Sequence, residues 1–117
     1  MNNSVTRWQM VAKDPGAAAR FYSSLFGWKI DTDNSMGYRE VTTGTTGIDG
    51  GIWPAGPEGH SLVQLFVEVD DVDAQLKRAV SLGGKIIVPT SHLPDGDVMA
   101  ILLDPNGISI GLYLRKK

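Results

Sequence analysis

No cysteine occurs in this chain of 117 residues. That excludes disulfides, thiolate metal sites and thiol nucleophiles. Histidine is nearly as scarce. Only His60 and His92 are present, both among Gly, Pro and Ser, and no second histidine stands at ligand spacing from either. Basic runs are missing apart from Arg115-Lys116-Lys117, and the formal net charge is −2, so a nucleic-acid partner is not expected. No apolar run approaches a membrane span, and the first eight residues carry no apolar signal core. The expectation is a cytoplasmic protein with no membrane partner, forming a single domain over residues 1–117. A chain of this length buries roughly two-thirds of its unfolded surface, enough for a core without staples.

What the sequence does contain is organised around Val11 to Ile30. Asp14 is placed to cap a helix, and Pro15 sits where a missing amide hydrogen costs nothing. Ala18, Phe21, Tyr22, Leu25 and Phe26 recur at helical spacing, and Gly27 supplies a left-handed stop. A weaker copy lies 57 residues on: Asp14 falls on Asp71, Ala17 on Ala74, Ser24 on Ser81, Leu25 on Leu82 and Gly27 on Gly84. The chain therefore reads as two copies of one supersecondary unit, about 1–55 and 60–117.

In order, the pattern predicts a strand over Val5 to Lys13, a helix over Pro15 to Phe26, and strands over 28–32, 38–43 and 48–53. Asp33 to Gly37 reads as a turn. Gly50 and Gly51 suggest a bulge or the close approach of another group. Pro54 to Gly59 is a linker. The second copy then gives a strand over 62–70 and a helix whose buried stripe is Val72, Leu76, Ala79 and Val80. A strand over 85–88 follows, then a loop from Pro89 to Gly96 that includes His92. A hairpin over 97–103 and 108–114 turns at Asp104-Pro105-Asn106-Gly107. Each copy is thus βαβββ. Trp8, Trp28, Phe21 and Tyr22 are assigned to the core. The helix stripe can cover only one face of its sheet, so the other must line a cavity or meet a partner.

The Asp14-Pro15…Ala18…Phe21-Tyr22…Leu25-Phe26-Gly27-Trp28 run resembles the opening helix of the vicinal oxygen chelate superfamily, which includes glyoxalase I, bleomycin resistance proteins and extradiol dioxygenases. Val69 to Ala74 with Leu82-Gly83-Gly84 resembles its second helix, and Leu103 to Ile110 its closing hairpin. The resemblance implies an α+β fold: two tandem βαβββ modules forming an open cup-shaped mixed sheet with helices on the outer face. It also implies a site on the concave face and a homodimer.

Metal-using members of that superfamily place a His or Gln seven residues before the Asp that opens each helix. Here those positions are Arg7 and Gln64. They place a carboxylate on the last strand of each module; here the second falls on Gly111 and the first near Trp53 or Pro54. Arginine is a permanently charged donor and cannot ligate a cation, and glycine offers no side chain. The expectation is that no metal or other cofactor occupies the standard site, although an unusual metal site stays open. The leading reading is a protein binding a small organic molecule in the cup, with Arg7, Gln9 and Gln64 as polar contacts and Trp53, Phe66, Met99 and Tyr113 as apolar ones. His92 is added from the long loop. Arg7 either holds an anionic ligand group or pairs with Glu40 or Glu68 to fix strand packing. Alternatively, the chain is a lyase, isomerase or dioxygenase-type enzyme, with either a non-standard metal site or a metal-free base at Glu68 or Glu40, a role for Glu68 that requires burial to raise its pKa. A third reading is an antibiotic-sequestering protein.

Overall fold

The computed structural model describes residues 3–32, 38–57 and 59–116. The element order is β1 (Val5–Ala12), α1 (Pro15–Phe26), β2 (Lys29–Asp31), β3 (Arg39–Thr42), β4 (Gly50–Pro54), β5 (Leu62–Glu68), α2 (Val72–Ser81), β6 (Lys85–His92), β7 (Val98–Leu103) and β8 (Ser109–Leu114). This is α+β, with βαβββ occurring twice. The predicted turn over Asp33 to Gly37 lies outside the described residues. By packing, the chain forms two compact units. One is Arg7 to Gln64; the other joins the residues before Arg7 to those from Leu65 onward.

Both helices start by the same device. The carboxylate of Asp14 accepts from the Ala17 amide at 3.0 Å, and that of Asp71 accepts from the Ala74 amide at 3.0 Å. Each bond satisfies an amide that a helix start otherwise leaves orphaned. α1 stops at Gly27, whose φ of 71° is the left-handed region where a side chain is penalised.

In the first unit the strands run in the order β2-β3-β4-β1, with β1 parallel to β4 and the other pairs antiparallel. Gln9 lies opposite Gly51, Val11 opposite Trp53, and Glu40 also opposite Gly51. Alternation then puts Arg7, Gln9, Gly51, Trp53 and Glu40 on one face. The other face carries Trp8, which meets Trp28 at 5.6 Å between ring centroids; Trp28 in turn stacks on Tyr22 of α1 at 5.6 Å. Trp8, Trp28 and Tyr22 are half-buried in this aromatic layer. Phe21 meets the edge of Tyr22 at 5.1 Å but is not core: Phe21 and Leu25 are each 58% exposed. Trp28 meets Tyr22 and also Phe26 of α1, the latter at 5.0 Å, so the apolar stripe of α1 is wider than the surface beneath it.

In the second unit the order is β5-β8-β7-β6, with β5 parallel to β8 and the rest antiparallel. Its core is Val69, Val72, Leu76, Ala100 and Leu112, with Val67, Val98, Leu102 and Leu114 packed around it. α2 thus buries Val72 and Leu76 on one sheet face, while Val80 stays exposed. The predicted loop from Pro89 is in fact strand. β6 continues through Pro89 to His92, with register shifts between Ile86 and Val88 and between Val88 and Ser91. β6 ends its strand order, and a proline is tolerated where its missing amide has no ladder partner to serve. The closing turn is as expected: Asp104 accepts from the amides of Asn106 and Ile108, each at 2.8 Å.

Candidate functional site

Each unit leaves one sheet face without a helix. In the first unit that face centres on Arg7. Its Nη2 donates to the Tyr38 hydroxyl at 2.7 Å and lies 3.5 Å from the Gly50 carbonyl oxygen. The guanidinium carbon is 5.3 Å from the Tyr38 ring centroid. Tyr38 is buried, and burial pushes its phenol pKa up, against the lowering effect of the Arg7 charge. The ring of Trp53 lies 5.4 Å from that of Tyr38 and is tilted to it.

Glycine makes this cluster possible. A Cβ on Gly51 would fall 1.7 Å from the Tyr38 hydroxyl, and a Cβ on Gly50 would fall 2.3 Å from the Trp8 ring. The close approach expected at Gly50 and Gly51 is therefore present on both faces of β4. Gln9 is half-buried opposite Gly51. Glu40 is exposed, and its charge reaches Tyr38. Gln64 is 2% exposed and is the buried polar side chain among the described residues. Within the first unit Arg7 takes the Tyr38 hydroxyl and does not pair with Glu40; within the second, Glu68 is taken by Arg115.

In the second unit Phe66 is 2% exposed, and a Cβ on Gly111 would fall 2.3 Å from its ring. Phe66 meets Tyr113 edge-on at 5.8 Å. Met99 pairs with Tyr113 across β7 and β8. The Tyr113 hydroxyl donates to Asp97, whose other carboxylate oxygen accepts from the Lys116 amide at 2.8 Å. Glu68 accepts from Arg115 at 2.7 Å from Nη2 and 3.2 Å from Nε. Those bonds hold its carboxyl below the usual range, outweighing desolvation. The raised pKa on which a base role for Glu68 depended is thus reversed.

His92 pairs with Val98, which packs on the α2 side of the sheet, whereas its neighbour Ser91 pairs with Met99. Alternation therefore turns His92 to the opposite face from Met99 and Tyr113. The expectation that His92 belongs with them from an overhanging loop is corrected by the extra length of β6. Asp97 and Arg115 escaped the sequence reading, and Tyr38, which shares a face of the predicted third strand with Glu40 and Thr42, was not chosen as a partner of Arg7. Asp97 and Arg115 were within reach, because each stands two residues from a residue already chosen, Met99 and Tyr113 respectively.

The model of the Glyoxalase/Bleomycin resistance protein/Dioxygenase superfamily matches residues 4–112. The chain belongs to that superfamily. It is 33% identical over 108 residues to a Mycobacterium bovis protein named as a glyoxylase, CFP32, covering 86% of this chain and 41% of that protein. It is 26% identical over 121 residues to the anthracycline biosynthesis protein DnrV of Streptomyces peucetius, covering 87% of this chain and 43% of that one. The chain thus spans less than half the length of these curated relatives. Among solved structures, methylmalonyl-CoA epimerase from Mycobacterium tuberculosis matches with a TM-score of 0.66 at 16% identity, over 100% of this chain and 93% of that one. A superfamily member from Vibrio splendidus matches with a TM-score of 0.63 at 11% identity, over 92% and 96%. These two show the fold.

The register also corrects one assignment. Gln9 and Phe66 are equivalent at the 57-residue shift. Gln9 pairs with Gly51, and Phe66 pairs with Gly111. The first-module counterpart of Gly111 is therefore Gly51, not Trp53 or Pro54. At both equivalent positions the chain has glycine, and an aromatic side chain stands where a longer residue would reach: Tyr38 over Gly51 and Phe66 over Gly111.

Proposed function

We propose that this superfamily member binds a small organic molecule on a helix-free sheet face, without the standard divalent metal. The observation that supports this reading is the pair of glycines at equivalent strand positions, Gly51 and Gly111, each closed over by an aromatic ring. A divalent cation needs about three protein donors and an open position. At the superfamily's ligand positions this chain offers Arg7, Gly51, Gln64 and Gly111. Arginine repels a cation and glycine donates nothing, so Gln64 alone could ligate. The residues do not fit the metal.

What the first unit's helix-free face does offer is a fixed cation at Arg7 beside the partly exposed ring of Trp53. A small organic ligand needs that mixture: mostly apolar contact with a few placed polar groups. The partner of the chain is a second copy of itself, a reading supported by the exposed apolar residues Phe21 and Leu25 on α1. Sedimentation at rising concentration checks this: a single monomer species throughout would overturn it.

The decisive experiment on the metal is elemental analysis of purified protein after incubation with nickel, zinc, manganese or iron(II), with a thermal melt for each. Binding to the folded state alone must raise the melting temperature. The expected result is no bound metal and no shift. One metal ion per chain with a clear shift would overturn the reading.

A further inference from the structure

We propose that Arg7, Tyr38 and Trp53 form a subsite for a carboxylate carried on a flat apolar body. The inference rests on the metal-free reading above and names the chemical class of its ligand.

Arg7 is half-buried, and its two contacts are both made by Nη2 to neutral oxygens, the Tyr38 hydroxyl and the Gly50 carbonyl. The three remaining N–H groups, on Nε and Nη1, meet no acceptor among the described residues, and no carboxylate there pairs with Arg7. A half-buried charge without a counter-charge is costly, and an oxyanion brought by a ligand removes that cost. Arg115 is the contrast. Its side chain is 64% exposed, yet Glu68 takes both its Nε and its Nη2. Glu68 is therefore paired with the arginine that needs a partner less.

The guanidinium is also held in place. The Tyr38 hydroxyl anchors Nη2, and Gly51 admits the phenol where any side chain would block it. A guanidinium fixed in one plane is prepared for the two parallel bonds that a carboxylate accepts. Beside it, Trp53 stands two residues from Gly51 on the same face, tilted against Tyr38, and is 37% exposed. That is a flat apolar surface next to a single fixed cation. One positive charge matches one carboxylate, and a dianionic phosphate would leave a charge uncompensated.

Calorimetric titration with naphthoate, its neutral analogue naphthamide, and acetate tests the inference. Naphthoate is expected to bind once per chain, naphthamide about tenfold more weakly or worse, and acetate not measurably at the same concentration. Arg7→Met should remove the preference for the acid, and Arg7→Lys should restore part of it. Trp53→Ala should weaken naphthoate about fivefold while leaving the acid-to-amide ratio intact. Equal affinity for naphthoate and naphthamide would overturn the inference, as would undiminished naphthoate binding by folded Arg7→Met. Failure of naphthoate to bind at millimolar concentration would overturn it too. If Arg7→Met does not fold, the acid-to-amide ratio on the wild-type chain decides. Equal acid and amide binding leaves the metal-free reading standing, whereas a bound metal ion overturns that reading.

Discussion

The two modules begin alike and end differently. Both cap their helix with an aspartate that accepts from the amide three residues on, and both carry glycine at the same register position of the last strand. In the second module the ring over that glycine is Phe66, which comes from β5 itself and is fully packed. In the first module the group over it is a phenol from beside β3, tied to a cation. The helices differ in the same sense. α2 buries Val72 and Leu76, while α1 buries nothing completely and turns Phe21 and Leu25 outward. Both copies bury strand residues, Val41 and Ile52 in the first and Ala100 and Leu112 in the second, but only the second buries helix side chains completely as well.

The largest break in this comparison comes from the glycines. Gly111→Ala drives a methyl group into the ring of a fully buried phenylalanine and is expected to cost about 3 kcal/mol. Gly51→Ala meets the far end of a tyrosine, which can swing away by giving up its bond to Arg7, so about 1–2 kcal/mol is expected. Urea melts of both variants check the order. An equal loss would show that Tyr38 is as tightly held as Phe66.

The helices give the next contrast. Leu76→Ala removes a side chain buried in the second core and should cost about 2–4 kcal/mol, whereas Leu25→Ala should cost under about 0.5 kcal/mol in dilute protein. If a second copy covers α1, the Leu25 loss grows with protein concentration while the Leu76 loss does not.

This contrast also marks where the sequence was legible. Caps, stops and turns depend on a few adjacent residues, so Asp14, Gly27 and the Asp104 turn could be read directly, and the helix Pro15–Phe26 came out with its ends in place. Burial depends on what lies opposite. The stripe on α1 has the same period as that on α2, and nothing local says that Trp28 would meet Tyr22 and Phe26 while Phe21 stays exposed. The strand through Pro89 was hidden for a similar reason: proline forbids a central strand but not one whose amide faces no partner. The Arg7 position was legible, but its partner was not. The choice of Tyr38 over Glu40 turns on the room left by Gly51, which appears only once β4 is laid beside β1 and β3.

The caps themselves should behave alike, which tests the equivalence from which the comparison starts. Asp14→Ala and Asp71→Ala each remove one bond to a third-residue amide, and each should cost about 1 kcal/mol. A much larger loss at Asp71 would mean that the cap of α2 also positions its buried Val72 and Leu76, for which α1 has no fully buried counterpart.

A further small effect is the pH dependence of the second module's ion pair. The Glu68 carboxyl lies below its ordinary value in the folded chain, chiefly because Arg115 hydrogen-bonds it. The charged form is therefore favoured by folding. Its contribution is complete above the unfolded value, near 4.5, and fades as pH falls through the lower folded value. Arg115 is mostly exposed, so solvent screens the pair, and Glu68→Gln should cost about 0.5 kcal/mol near neutral pH. The gap between the two proteins should close on acidification, because protonated Glu68 and glutamine are then nearly the same neutral side chain. Thermal melts at several pH values from neutral to below the folded pKa would show it. A gap that persists unchanged in acid would mean that Glu68 acts through packing rather than charge, and the contrast between a satisfied Arg115 and an unsatisfied Arg7 would lose its electrostatic basis.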